Sequence, residues 1–120
     1  MPVLASGSKF VTNITNLTTT NDTDCYVVPA NFSTHVEHFM IANNHSGAVT
    51  FTLKFFEAST STTHTLFSAH SLATISSQSI FTTEKPLYIH AGDKLIVAAG
   101  TANKLMVTAA VEEFFDPTQG

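Results

Sequence analysis

The chain has no arginine and no tryptophan, a single cysteine at Cys25, and only five lysines against nine acidic residues, for a net charge of −4 over 120 residues. Each scarcity removes a class of protein. Without arginine, and with so few lysines, no basic surface is available to neutralise phosphates, so nucleic acid is not a partner. One cysteine can close no intramolecular disulfide and cannot supply a cysteine-rich zinc site; it reads as a small buried hydrophobe. No segment reaches the roughly 18 consecutive apolar residues of a membrane span. The opening MPVLASGSKF lacks the basic start and long apolar stretch of a secretory signal. A soluble protein without a membrane partner is therefore expected. Glycine-rich phosphate loops and nucleophile elbows are also missing. With no tryptophan and only Tyr26 and Tyr88, both inside strand patterns, an aromatic platform for carbohydrate is weakly provided for.

Threonine and serine, in contrast, make up about a quarter of the chain, and the threonines are spread through apolar segments. A β-branched residue fits a pleated surface, so this distribution favours strands. Alternation supports the same reading. In AVTFTLKFFEA, Val49, Phe51, Leu53 and Phe55 share one face while Thr50, Thr52 and Lys54 share the other. Leu95, Val97 and Ala99 repeat the pattern, as do Leu105, Val107, Ala109 and Val111. Strands are expected near residues 9–15, 24–28, 35–42, 48–57, 63–69, 75–82 and 104–113, with 87–90 and 94–99 counted together as one hairpin. Gly92 and Asp93 supply that hairpin's turn, glycine by its freedom at positive φ and aspartate by bonding local backbone. Short strands at regular spacing predict an all-β fold: one antiparallel β-sandwich or jelly-roll-like domain of about eight strands, over residues 9–113. Residues 1–8 form an N-terminal arm and 114–120 a C-terminal tail. The Thr/Asn-rich stretch TNITNLTTTNDTD is expected to be an exposed link between the first two strands. Five Asn-x-Ser/Thr triplets, at Asn13, Asn16, Asn21, Asn31 and Asn44, are a by-product of this polar composition.

The stretch STHVEHFMIANNHSG holds three of the six histidines. HVEH resembles a rearranged helical zinc motif, which needs helix geometry. On a regular strand, His35 and Glu37 face one way and His38 the other, so the three cannot converge on one ion. A pairing of His35 with His64, His70 or His90 from a neighbouring strand is the alternative. His45 sits in a turn signature and reads as a loop residue. Glu112 and Glu113 are adjacent and point to opposite faces, as a charged strand end. The expectation is thus no catalytic residue, no cofactor site and no metal site, with stability independent of chelators.

YVVPANFSTHVEHFMIANNHSGAVTFTLKFFEA and KPLYIHAGDKLIVAAGTANKLMVTAAVEEF together resemble small β-sandwich virion accessory proteins of tailed bacteriophages. The shared positions are Val28, Pro29 and Ala30; Ala42 and Asn43; Pro86 and Leu87; and Ala91, Gly92 and Asp93. The resemblance spans about residues 24–113 and rests on turn and strand-end signatures. It implies a non-enzymatic structural protein of the virion, assembled in the host cytoplasm. The leading role is a capsid decoration or cement protein that binds and stabilises the shell through the major capsid protein or another virion protein. A homo-oligomer, with a trimer favoured, is implied. A tail, neck or baseplate component is the alternative, and a surface carbohydrate-binding module a more distant one. Val3, Leu4, Phe114 and Phe115 are the apolar residues least accounted for by the strand pattern, and they are the candidate docking residues.

Overall fold

A computed structural model describes residues 8–82 and 87–115 of the chain. Nine strands follow one another: β1 (Ser8–Leu17), β2 (Thr23–Val27), β3 (Phe32–Asn43), β4 (Val49–Glu57), β5 (Thr62–Leu72), β6 (Ser76–Phe81), β7 (Leu87–His90), β8 (Lys94–Ala99) and β9 (Leu105–Phe115). They pair antiparallel into two sheets. One has the order β1-β9-β3-β6, with β7 also on β3; the other has the order β2-β8-β4-β5. This interleaving is that of the eight-stranded jelly roll with two Greek keys. Its sixth strand is split: β6 pairs with Phe39–Asn43 of β3, and β7 pairs with Ser33–Val36. The all-β, sandwich-like expectation is met.

The alternation read from the sequence builds the core. Phe51, Leu53, Leu95 and Val97 of one sheet are buried, facing Val107, Ala109 and Val111 of β9 and Val36, Phe39 and Ile41 of β3 on the inner surface of the other. Two polar residues fix loops from inside. Asn43 is fully buried; its Nδ2 donates to the carbonyls of Gly47, Leu72 and Ala73, and its Oδ1 accepts from His45 N–H. Asp93 accepts from the His90 and Ala58 N–H groups, both at 2.9 Å.

Three expectations are corrected. The segments 87–90 and 94–99 are not a hairpin: β7 pairs with β3 in one sheet, and β8 with β2 and β4 in the other. The turn chemistry is as read, with Gly92 at φ 87° and Asp93 N–H bonded to His90 O, but the turn carries the chain across the sandwich. A Cβ on Gly92 would lie 3.0 Å from Cβ of Ala58. Secondly, part of the Thr/Asn-rich stretch is strand: β1 continues to Leu17, which is fully buried. Thirdly, β3 is not regular. Its register with β9 slips between Val36 and His38, leaving Glu37 as the extra residue of a bulge. Val36 and Phe39 both enter the core while Glu37 and His38 both stay outside, so His38 does not face away from His35 and Glu37. β9 also runs to Phe115, two residues into the assigned tail, whereas Val3, Leu4, Pro86 and Pro117 lie outside the described residues.

Candidate interaction surface

The buried polar groups between the sheets are committed to one another. Tyr26 of β2 donates its hydroxyl to Oε2 of Glu113 at 2.6 Å, and the Thr34 hydroxyl lies 2.9 Å from the same oxygen of Tyr26. Since Tyr26 donates to the carboxylate, Thr34 donates to Tyr26. Lys9 Nζ, 3.7 Å from Glu113 Oε1, supplies a countercharge. Glu113 is therefore a buried tie between the sheets, a role its place in a charged strand end did not signal. Glu112 does point to the opposite face, as read. Burial, then the bond to Glu113, pushes the Tyr26 hydroxyl well above the usual tyrosine range. Cys25, beside it in a bulge of β2, is buried, and burial pushes its thiol up to about 12.

A cleft of about 540 Å³ opens at one end of the sandwich, between the β4–β5 and β7–β8 turns, lined in part by Phe55, Glu57, Tyr88, His90 and Asp93. Its acids are already engaged. Asp93 holds two backbone N–H groups, and hydrogen bonds from His64 and Thr60 hold the Glu57 carboxyl below its ordinary value. The cleft thus presents no free carboxylate paired with a nucleophile among its described residues.

What remains outward is the solvent face of the β1-β9-β3 sheet. The registers place Ser8, Phe10, Thr12, Ile14 and Asn16 beside Phe114, Glu112, Ala110, Thr108 and Met106, and these in turn beside Ser33, His35, His38, Met40 and Ala42. Phe10 is 77% and Ile14 59% exposed, far beyond what a strand of a self-contained sandwich needs. From the Ala110 row to the Met106 row this face carries no lysine, aspartate or glutamate. β1 is moreover the outer strand of its sheet, with its second edge unpaired by any described strand. Phe114 lies at the border of this face, diagonal to Phe10, and is 39% exposed. Phe115 turns to the other side, where its ring meets Phe32 edge-on at 5.6 Å. Phe114 and Phe115 are therefore only partly available. Sequence reasoning missed Phe10 and Ile14 because their alternation within β1 reads as an ordinary buried face.

One charged row borders these rows free of lysine and acid. His35 of β3 stands opposite Glu112 of β9, and Tyr88 of β7 stands opposite His35 on its other side. The His35 and Tyr88 rings stack at 4.6 Å. His35 Nδ1 is 3.1 Å from Glu37 Oε2, and Ser8 donates to Glu112 Oε2 at 2.7 Å. One ligand-capable atom from each of His35, Glu37 and Glu112 lies within 4.8 Å of the other two. The histidines first paired with His35 are placed elsewhere: His64 and His70 belong to β5 in the other sheet, and His90 stands opposite Ser33. His38 contacts Ser79 at 3.2 Å, and His45 is a half-buried turn residue.

No protein-family model matches the chain, and no curated protein sequence does. Its fold is shared with a protein of the Bacillus endospore appendages described as disulfide-linked pili, at 12% identity over 92% of this chain and 88% of that one, with a TM-score of 0.55. A weaker likeness joins it to the virus-like particle of extra small virus from the prawn Macrobrachium rosenbergii, at 12% identity, 94% and 81% coverage, and a TM-score of 0.47. A pentameric capsid protein from metagenomic phage sequences is similar at 16% identity, 100% and 68% coverage, and a TM-score of 0.41. At such identities the likeness is one of fold.

Proposed function

We propose that this chain is a non-enzymatic structural protein of a bacteriophage virion, a decoration or cement protein that docks on the assembled shell and stabilises it. The observation that carries this reading is the division of labour among its side chains. The polar groups of Tyr26, Glu113, Asn43 and Asp93 are used up in ties within the sandwich, and large apolar side chains stand exposed on one sheet face and beside the ends of β1 and β9. Interfaces need a few apolar or aromatic anchors within a polar surround, which is what Phe10, Ile14 and Phe114 provide. The low charge of the chain suits a dense array, where strong net charge would repel neighbours. The resemblance over residues 24–113 points to the same class of protein. Cys25, the single cysteine of these 120 residues, is buried, so the disulfide linkage described for the Bacillus appendages has no counterpart in this domain.

The test is co-sedimentation with particles that lack the protein, reading bound copies and particle survival on heating. Wild type should bind in copy numbers comparable with the shell subunits. A variant lacking residues 1–7, which removes Val3 and Leu4, and Phe114→Ser should fold but bind at least about tenfold more weakly, as loss of an anchor of about 1.4 kcal/mol or more requires. Phe115→Ser is a poorer probe because its ring also packs on Phe32. Equal binding by these variants removes the chain ends from the docking surface. Binding by wild type in only a few copies at the tail or neck replaces decoration with the tail-component reading.

A further inference from the structure

We propose that His35, Glu37 and Glu112 form a binding site for one divalent transition-metal ion, with zinc the natural occupant. The argument begins with register. His35 is directly opposite Glu112 across the β3–β9 ladder, and Glu37 is the extra residue of the bulge that follows. The expectation that HVEH could not hold an ion rested on regular alternation and on donors from β3 or another histidine. The third donor is instead a carboxylate on β9, and the bulge leaves Glu37 on the same face as His35 without a partner in the ladder.

Donor type and charge fit such an ion. Zinc takes histidine nitrogen and carboxylate oxygen at about 2.0–2.2 Å, and three protein donors leave a fourth position for water or a group from a neighbour. Two carboxylates balance its charge. In tetrahedral geometry those bond lengths set donors about 3.3–3.6 Å apart. The present 3.1 Å from His35 to Glu37 is already that close, and the three donor atoms all lie within 4.8 Å of one another. The donors are also braced. The His35 ring is stacked on Tyr88, and Ser8 holds one oxygen of Glu112, leaving the other without a partner among the described residues. Such supporting contacts orient the ligands of metal centres.

A second observation points to a cation. Glu37 and Glu112 are both half-buried, and among the described residues no lysine pairs with either. The ring of His35 is the one basic group beside them, and its buried Nε2 has no hydrogen-bond partner among the described residues. A divalent ion held between the two carboxylates would supply the positive charge that no lysine does.

The test uses the full chain, stripped of metal with a chelator and titrated calorimetrically near neutral pH with zinc chloride, with cobalt chloride as a spectroscopic probe. One equivalent should bind per chain and raise the melting temperature. Affinity should fall by about tenfold or more in Glu37→Gln, Glu112→Gln and His35→Gln, and also in Ser8→Ala, where only the brace on Glu112 is lost. His38→Gln and His64→Gln should bind as wild type does. The amide variants conserve size and keep the test readable if His35→Gln fails to fold. Absence of saturable binding overturns the proposal. So does binding that survives in Glu112→Gln and is lost in His38→Gln or His64→Gln, since the ion then sits on exposed histidines.

Discussion

Cys25 and Tyr26, side by side on β2, make the protein's stability sensitive to alkali. The Cys25 thiol is raised from 9.0 to about 12 by burial, and the Tyr26 hydroxyl is also raised. Between the unfolded and folded values the native state holds a proton that the unfolded chain has released. Stability is therefore full below about pH 9 and falls as pH rises toward 12, by up to about 1.4 kcal/mol per pH unit for each such group. Urea melts between neutral pH and pH 11 should show this decline, and Cys25→Ala should flatten its first part. A thiol reagent at pH 8 should label Cys25 only after unfolding; rapid labelling of the native protein would contradict the burial. A paired substitution checks the core. Leu53 is fully buried, so Leu53→Ala should cost about 2–5 kcal/mol. Thr52, its neighbour on the other face, accepts a bond from the Ala69 N–H, so Thr52→Ala should cost about 1 kcal/mol instead of nothing. Comparable small losses from both would place β4 in the wrong register.

Elements whose side chains alternate between core and solvent were legible. β4, β8 and β9 were read face by face, because a period of two is written directly into residue order. What residue order does not write is where a strand goes after a turn. Gly92 and Asp93 announce the turn, but the same chemistry serves a hairpin or a crossing between sheets, and here it makes the crossing. Bulges are equally silent. Nothing in THVEHF marks Glu37 as the extra residue, so the relative facing of His35 and His38 could not be read correctly. The His35–Glu112 pairing needed the ladder between segments about 77 residues apart in sequence. The crossing yields a prediction of its own. Asp93 ties the β4–β5 turn to the end of β7 through Ala58 and His90, so Asp93→Ala leaves two N–H groups without their acceptor and should cost about 2–5 kcal/mol in chemical denaturation. Asp93→Asn keeps an oxygen for one of them and should lose less. Equal, negligible losses would show that the turn does not need the carboxylate.

For the whole molecule, the decisive quantity is how much of the β1-β9-β3 face the jelly roll leaves uncovered. Three strands of about ten residues, at about 3.4 Å per residue and 4.8 Å between strands, present a flat area of about 500 Å². A stable interface takes about 800 Å² from each partner. The β1-β9-β3 face alone is therefore large enough only for weak self-association, and a tight oligomer requires the chain ends or the free edge of β1 to add to it. Phe10 and Ile14 are largely exposed within one chain, so Phe10→Ser with Ile14→Ser should leave the melting temperature of dilute protein nearly unchanged. At high concentration the outcomes separate. Wild type should show concentration-dependent association by sedimentation velocity, and the double variant should remain a monomer. Because the rows from Met106 to Ala110 carry no lysine or acid, raising the salt should not dissolve the wild-type association, in contrast to one built on ion pairs. A wild-type chain that stays monomeric at every concentration would assign this face to a partner other than a second copy. An oligomer that persists in the double variant would move the self-contact to the edge of β1 or to β9 near Phe114.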